Sequence, residues 1–167
     1  MVRRYIGMLV ILLVSGWSTN GAAQQMDSEE ARATLKGIHG VVVMILGPPP
    51  QVEQNGVTKD QIQTDVELRL RKAGIPVLSR EEFATEPGWP RLQVAVNVFR
   101  MSAYVVHVSL VQRVRLYRDP QVDTDAETWS SATLGAVGDI SNLRRLRETV
   151  ADHIDAFINA YLAVNQK

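Results

Sequence analysis

The chain has 167 residues, with 18 Lys and Arg against 18 Asp and Glu, and it contains no cysteine. The length predicts one domain with a core of its own, and the lack of cysteine excludes disulfides, a thiol nucleophile, a thiolate metal site and a lipid-modified N-terminal cysteine. The balanced charge gives no basic footprint of the kind that nucleic-acid-binding proteins carry.

The N-terminus has the composition of a secretory signal peptide. Two arginines precede an apolar run over residues 6–14, and a site of small residues ends at Ala23. This order is typical of an export signal, and the apolar run is about half of the ~20 residues that span a bilayer. We therefore expect residues 1–23 to be removed, which predicts a soluble periplasmic or secreted bacterial protein. An uncleaved N-terminal anchor is the alternative.

The mature chain begins with a polar segment and continues as one domain. Residues 24–36 are mostly polar or charged, and we expect a flexible lead or a single helical turn there. A single α/β domain is predicted over residues 37–167. Its first element is the apolar run 38–46, whose length and β-branched residues predict a strand buried on both faces.

The first helix has the clearest start and stop signals in the chain. Thr58 and Gln61 form a capping-box pattern, apolar residues follow at helical spacing, and Gly74 is placed as a left-handed C-terminal cap. A short strand is predicted over residues 76–79. Together with the strand at 38–46, it would form a parallel β-α-β unit.

The second half of the chain reads as three consecutive strands and a helix. Alternating patterns predict strands over 92–100, 103–118 and 128–137, with a polar acidic loop before the last of them and a helix from about 141 to 165. Because no helix separates these strands, we expect an antiparallel meander. The length of the middle strand predicts a bulge.

These elements predict an α+β fold. The order β-α-β-β-β-β-α indicates a two-layer sandwich, with a mixed sheet of about five strands and two helices packed on one face.

The order of elements resembles that of a small α/β domain of exported envelope proteins. Four features match: a buried valine strand (41–43), a helix that ends in Arg-Lys-Ala-Gly-Ile (71–75), a valine-rich hairpin (92–111) and a closing helix that contains Phe-Ile-Asn-Ala-Tyr (157–161). The chain is similar in this respect to the N-terminal domain of the TolB translocation protein and to the penicillin-binding-protein activator lipoproteins. The resemblance implies a domain that binds protein partners and performs no chemistry.

No residue pattern in the chain predicts a catalytic residue, a cofactor or a metal. The three histidines fall on different predicted elements, and none has the HxH or HxxxH spacing of metal ligands. Ser130 and Ser131 are not part of a GxSxG elbow. The acidic residues between 123 and 127 lack the glycine and terminal glutamate of an EF-hand loop.

The candidate partner surface consists of Arg144, Arg145, Arg147 and Trp129. The three arginines lie in the first turns of the last helix, where the helix dipole disfavours cations, so an anionic partner would relieve them. Local salt bridges on a solvated face are the alternative. Trp129 is either an interface anchor or a core residue packed against a helix.

We therefore predict an exported, non-enzymatic envelope protein that acts as a protein-binding or assembly module, with another envelope protein as its partner. A small-ligand-binding protein that uses the loops 47–57 and 135–138 is the first alternative, and an enzyme of unrecognised type is the second. A flat apolar patch or a bare edge strand would favour the first interpretation, and a concave pocket would favour the others.

Overall fold

The computed structural model describes residues 23–25, 28–100, 102–137 and 143–165, with side chains for 28–100, 102–137 and 145–165. These residues form β1 (Ala23–Gln25), α1 (Glu29–Ala33), β2 (Val42–Leu46), α2 (Pro50–Glu53), α3 (Lys59–Lys72), α4 (Arg80–Thr85), β3 (Arg91–Phe99), β4 (Ala103–Leu116), β5 (Asp119–Ala136) and α5 (Leu143–Asn165). The predicted signal peptide lies outside the described residues, apart from Ala23.

The strands form one mixed sheet in the order β1-β5-β4-β3-β2. β2 and β3 pair in parallel, and the other neighbours are antiparallel. A parallel pair needs a crossover connection, which here contains α2, α3 and α4. The α+β class and the antiparallel β3-β4-β5 meander are confirmed.

The predicted order of elements, β-α-β-β-β-β-α with two helices, is wrong: the described residues contain five helices, and two predicted segments take other conformations. Residues 76–79 do not form a strand of the sheet, because Val77 makes only an isolated bridge with Val41 and β2 pairs directly with β3. The acidic segment 119–127, predicted as a loop, belongs to β5. Opposite charges stabilise this pairing, since Arg115 lies across from Asp123 and donates to its Oδ1 at 2.8 Å.

The predicted helix signals are confirmed in α3. Thr58 and Gln61 make both hydrogen bonds of the capping box, and Gly74 has a φ of 77°. The amide of the next residue, Ile75, donates to the carbonyl of Leu70 at 2.9 Å, which closes the last turn. In the predicted polar lead, α1 forms a short helix, and Leu35 just beyond it is fully buried.

The core lies between one face of the sheet and the two long helices. Neighbouring strands contribute a continuous buried row across that face, formed by Val43, Leu92, Leu110 and Trp129. The helices supply the opposite side of the core through Ile62, Val66 and Leu70 of α3 and through Leu146, Val150, Ile154 and Phe157 of α5. In the described part of the chain, no helix has the length and apolar character needed to cross a membrane.

Candidate functional site: the open face of the sheet

The other face of the sheet, which we call the open face, is exposed to solvent over most of its area, although Ser109 and Ser130 on it are buried. Cross-strand pairing places its side chains in four rows: Met44-Gln93-Ser109-Ser130, Leu46-Ala95-His107-Ala132, Asn97-Val105-Leu134 and Phe99-Ala103-Ala136. Its four largest apolar side chains contact solvent: Met44 is 38% exposed, Leu46 45%, Phe99 56% and Leu134 59%. The described helices therefore leave these side chains uncovered.

Nine of the fourteen side chains in these four rows are apolar. These four rows contain no lysine, arginine, aspartate or glutamate, whereas the adjoining row on the same face, Val42-Arg91-Val111-Glu127, carries two charged residues, and Glu127 lies 3.4 Å from His107. The rows extend over three strand spacings, about 14 Å, and over six residues along the strands, about 20 Å. A patch of this size is ordinary for a monomer, and the largest apolar patch of a monomer is often functional. The geometry therefore provides a flat surface for a partner.

The predicted arginine surface is only partly free. Arg147 donates from Nε and Nη2 to Oδ2 of Asp65 on α3, at 3.0 and 2.5 Å. Arg145 is exposed, and the side chain of Arg144 lies outside the described side chains. Arg147 thus links α3 and α5. This local salt bridge is the alternative to an anionic partner that the sequence left open for the arginines.

Trp129 is a core residue. Its side chain is 1% exposed and packs edge-to-face against Phe157 of α5, with ring centroids 5.3 Å apart. The indole is therefore not part of the surface available to a partner.

A groove of about 740 Å³ lies between α3 and α5. Its apolar lining includes Ile62, Val66 and Leu68, and its rim carries the Arg147–Asp65 ion pair. Because these opposite charges already satisfy one another, that part of the rim presents little free charge to a ligand.

The loops of the small-ligand alternative lie at one end of the sheet. β2 and β3 end at this edge and so does β5, which places residues 47–57 and 135–137 on the same side. Two strands, β3 and β4, stand between the loops, and the amide of Val137 donates to the carbonyl of Ser102 in the connecting turn at 2.9 Å. Gly138 lies outside the described residues.

Two acidic residues of β5, Asp123 and Asp125, are paired with arginines, and a third lies beside a histidine. Asp125 accepts from Arg91 at 2.6 Å, Asp123 accepts from Arg115, and Glu127 lies 3.4 Å from His107. Among the described residues, no group of three or more potential ligands is placed to hold a metal ion. The arginines lower the pKa of both aspartates through hydrogen bonds.

A serine–histidine contact, which the sequence did not predict, lies beneath α5. Ser131 Oγ is 2.7 Å from Nδ1 of His153, and both residues are buried. The Nε2 atom of His153 has no hydrogen-bond partner among the described residues. The pair resembles part of a hydrolase site in composition, but its burial between sheet and helix leaves no access for a substrate. We assign it a structural role.

The pH dependence of stability tests this role. Burial lowers the pKa of His153 below its usual 6.5; Asp152 on the same helix opposes this shift and His107 on β4 adds to it. Because the unfolded chain binds this proton at a higher pH than the folded chain, stability is lost as the pH falls below about 6.5. His153→Gln retains a partner for Ser131 and should flatten the decline in melting temperature between pH 7 and pH 5.

The control is His39→Gln, since the side chain of His39 is 78% exposed. We expect this variant to retain the wild-type slope. An unchanged slope in His153→Gln would show that the buried histidine does not control acid stability.

Comparison with known proteins assigns this chain to no family. The chain matches none of the protein-family models against which it was scanned, and a search of curated proteins finds no match. The resemblance to the TolB N-terminal domain and the activator lipoproteins therefore stays a prediction, and function is inferred from the open face.

Proposed function

We propose that this protein is an exported, non-enzymatic bacterial envelope protein that acts as a protein-binding or assembly module through the open face. The observation that carries the proposal is the set of four large apolar side chains on this face, which are 38–59% exposed. A flat apolar surface suits a protein partner, whereas small ligands and substrates need a concave site with converging polar groups.

We propose that the architecture is a two-layer sandwich, which explains why one face of the sheet is exposed. α3 and α5 form one layer and the sheet forms the other, and no third layer covers the open face in the described part of the chain. The solvent side of an antiparallel sheet usually carries polar residues. Leu46, Phe99 and Leu134 depart from that pattern, and their burial by a partner would contribute about 25 cal/mol per Å² of apolar area.

Export is the second part of the proposal. It is supported by the basic, apolar and small segments of residues 1–23. Cleavage after Ala23 would leave Gln24 and Gln25, which pair with Ala132 and Ser131 of β5, at the start of the mature chain. The sheet would then keep two paired residues of β1 after processing.

The groove between α3 and α5 favours a second candidate, a ligand-binding protein. Its volume of about 740 Å³ is in the range of small-molecule sites. Leu68 lines this groove and is 48% exposed, so it reports on the groove as Leu134 reports on the open face.

In-cell chemical crosslinking of the tagged full-length protein, followed by mass spectrometry, tests the proposal. We expect one dominant adduct whose recovery falls at least tenfold in Leu134→Asp and is unchanged in Leu68→Asp, with a mature chain that begins at Gln24. Loss of the adduct in Leu68→Asp alone would move the binding site to the groove. An adduct insensitive to both variants would contradict a role for either surface.

A further inference from the structure

We infer that Asn55 of the folded chain is a site of spontaneous deamidation, at which the side-chain amide is lost and an aspartate or isoaspartate residue forms. Asn55 lies in the turn between α2 and α3, and both this residue and the next, Gly56, are exposed to solvent. The modification needs no partner, enzyme or cofactor, so it depends neither on the open face nor on export.

The reaction is a ring closure between the side chain of Asn55 and the backbone of Gly56. The backbone nitrogen of Gly56 loses its proton to water and bonds to Cγ of Asn55. The bond from Cγ to Nδ2 breaks, and the side-chain nitrogen takes up a proton and leaves as ammonia. One water molecule then opens the five-membered imide. Attack at Cγ gives aspartate, and attack at the main-chain carbonyl carbon gives isoaspartate, in which the chain continues through Cγ.

The glycine that follows Asn55 separates it from the other described asparagines. Gly56 has no side chain to hinder its nitrogen, and its backbone can take up the conformations that ring closure requires. No atom lies within 4 Å of a Cβ atom built on Gly56, so the turn has room for the ring. By contrast, Asn97 precedes a valine within β3, and Asn159 precedes an alanine within α5. Asn165 precedes a glutamine, and its side-chain amide makes three hydrogen bonds.

Two hydrogen bonds to α2 control how often the ring can close. The amide of Gly56 donates to the carbonyl of Glu53 at 3.0 Å, and Nδ2 of Asn55 donates to the carbonyl of Gln51 at 2.7 Å. Both acceptors belong to a helix of four residues whose N-cap makes no side-chain hydrogen bond. Because so short a helix is not stable by itself, we expect its end to open locally while the core stays folded. Val52, which is fully buried, anchors this helix.

The product alters the chain just before α3. It adds a negative charge three residues ahead of the N-cap Thr58, where a negative charge does not oppose the helix dipole. Isoaspartate also adds one carbon to the main chain beside Val57, which is buried and whose amide donates to the carbonyl of Val52 at 3.4 Å. We therefore expect the aged chain to melt at a lower temperature, whereas Asn55→Asp, which adds the charge alone, keeps the wild-type melting temperature.

Ageing of the purified full-length chain in mildly alkaline buffer, followed by tryptic peptide mapping with mass spectrometry, tests the inference. Trypsin separates the sites, since Asn55 lies in peptide 37–59, Asn97 in 92–100 and the asparagines of α5 in 148–167. The other Asn-Gly pair of the chain, at 20–21, lies in the predicted signal peptide and in a separate peptide, 5–32. We expect deamidation of peptide 37–59 to be at least tenfold faster than that of 92–100 and 148–167. Equal rates in these three peptides would overturn the inference.

Gly56→Ala is the first control variant, and it should slow deamidation of Asn55 at least tenfold because the added Cβ hinders the attacking nitrogen. The same substitution destabilises the turn, which by itself would raise the rate, so a slower reaction cannot result from lost stability. An unchanged or higher rate in Gly56→Ala would overturn the assignment of Gly56 as the nucleophile.

A matched pair of core variants tests whether the folded chain reacts. Val52 and Val66 are 0% and 1% exposed, but only Val52 lies in α2. We expect Val52→Ala to raise the rate severalfold and Val66→Ala to leave it unchanged. Equal acceleration in the two variants would show that Asn55 reacts from the globally unfolded chain, which would overturn a site in the folded protein.

Discussion

Trp129→Ala is expected to lower the free energy of unfolding by about 3–5 kcal/mol, the usual cost of removing a large buried aromatic ring. The indole is 1% exposed and lies at the β5 end of the buried row, in edge-to-face contact with Phe157 of α5. Removing the indole would leave a cavity between β5 and α5, and these two elements cannot move together enough to close it. Urea denaturation of the wild-type protein and of Trp129→Ala would measure this difference in the free energy of unfolding.

Trp89→Ala is the matched control. Trp89 is 40% exposed and stacks under the guanidinium of Arg113, 5.1 Å from the ring centroid. An exposed cation–π contact contributes about 0.5–1 kcal/mol, so this variant should retain most of the wild-type stability. Equal costs at the two positions would contradict the assignment of Trp129 to the core.

Gly47→Ala is expected to have the second large effect. Gly47 has a φ of 89°, and a Cβ atom built there overlaps the backbone carbonyl oxygen of Val96 on β3. A backbone oxygen held in a strand cannot rotate away, so the turn at the end of β2 must move. We expect the overlap to lower the free energy of unfolding by about 2 kcal/mol. This loss adds to the cost of placing a residue with a Cβ atom in the left-handed conformation.

Gly56→Ala isolates the steric part of that effect. Gly56 has the same φ of 89°, but no atom lies within 4 Å of its added Cβ. This variant should cost about 1–2 kcal/mol, the price of the left-handed conformation for a residue with a Cβ. If the two alanine variants unfold at the same denaturant concentration, the close approach to Val96 does not contribute.

The sequence predicts much of the fold because local signals and tertiary structure agree in those places. The capping box at Thr58 and the glycine cap at Gly74 act within a few residues and define α3. The bulge expected in β4 lies instead in β5, where Thr128 is the extra residue between Trp129 and Glu127, the partners of Leu110 and Val111. The extension of β5 through 119–127 depends on ion pairs with the opposite strand, which no local pattern of the sequence reveals.

The candidate surface is harder to predict, because alternation separates the two faces of a strand without saying which one is buried. In β5, Ala132 and Leu134 alternate with Trp129 and Ser131, and the first pair looks like the more apolar face. The structure buries the second pair, since the large indole and the Ser131–His153 contact both fit beneath α5. The exposed apolar face is thus a consequence of helix placement.

A photoreactive side chain at Leu134, introduced into the full-length protein in its native host, tests the central claim that the open face binds protein. We expect a discrete protein adduct on irradiation, and none from the same group at the groove residue Leu68. Adducts from Leu68 with Leu134 unreacted, or from neither position, would contradict the claim.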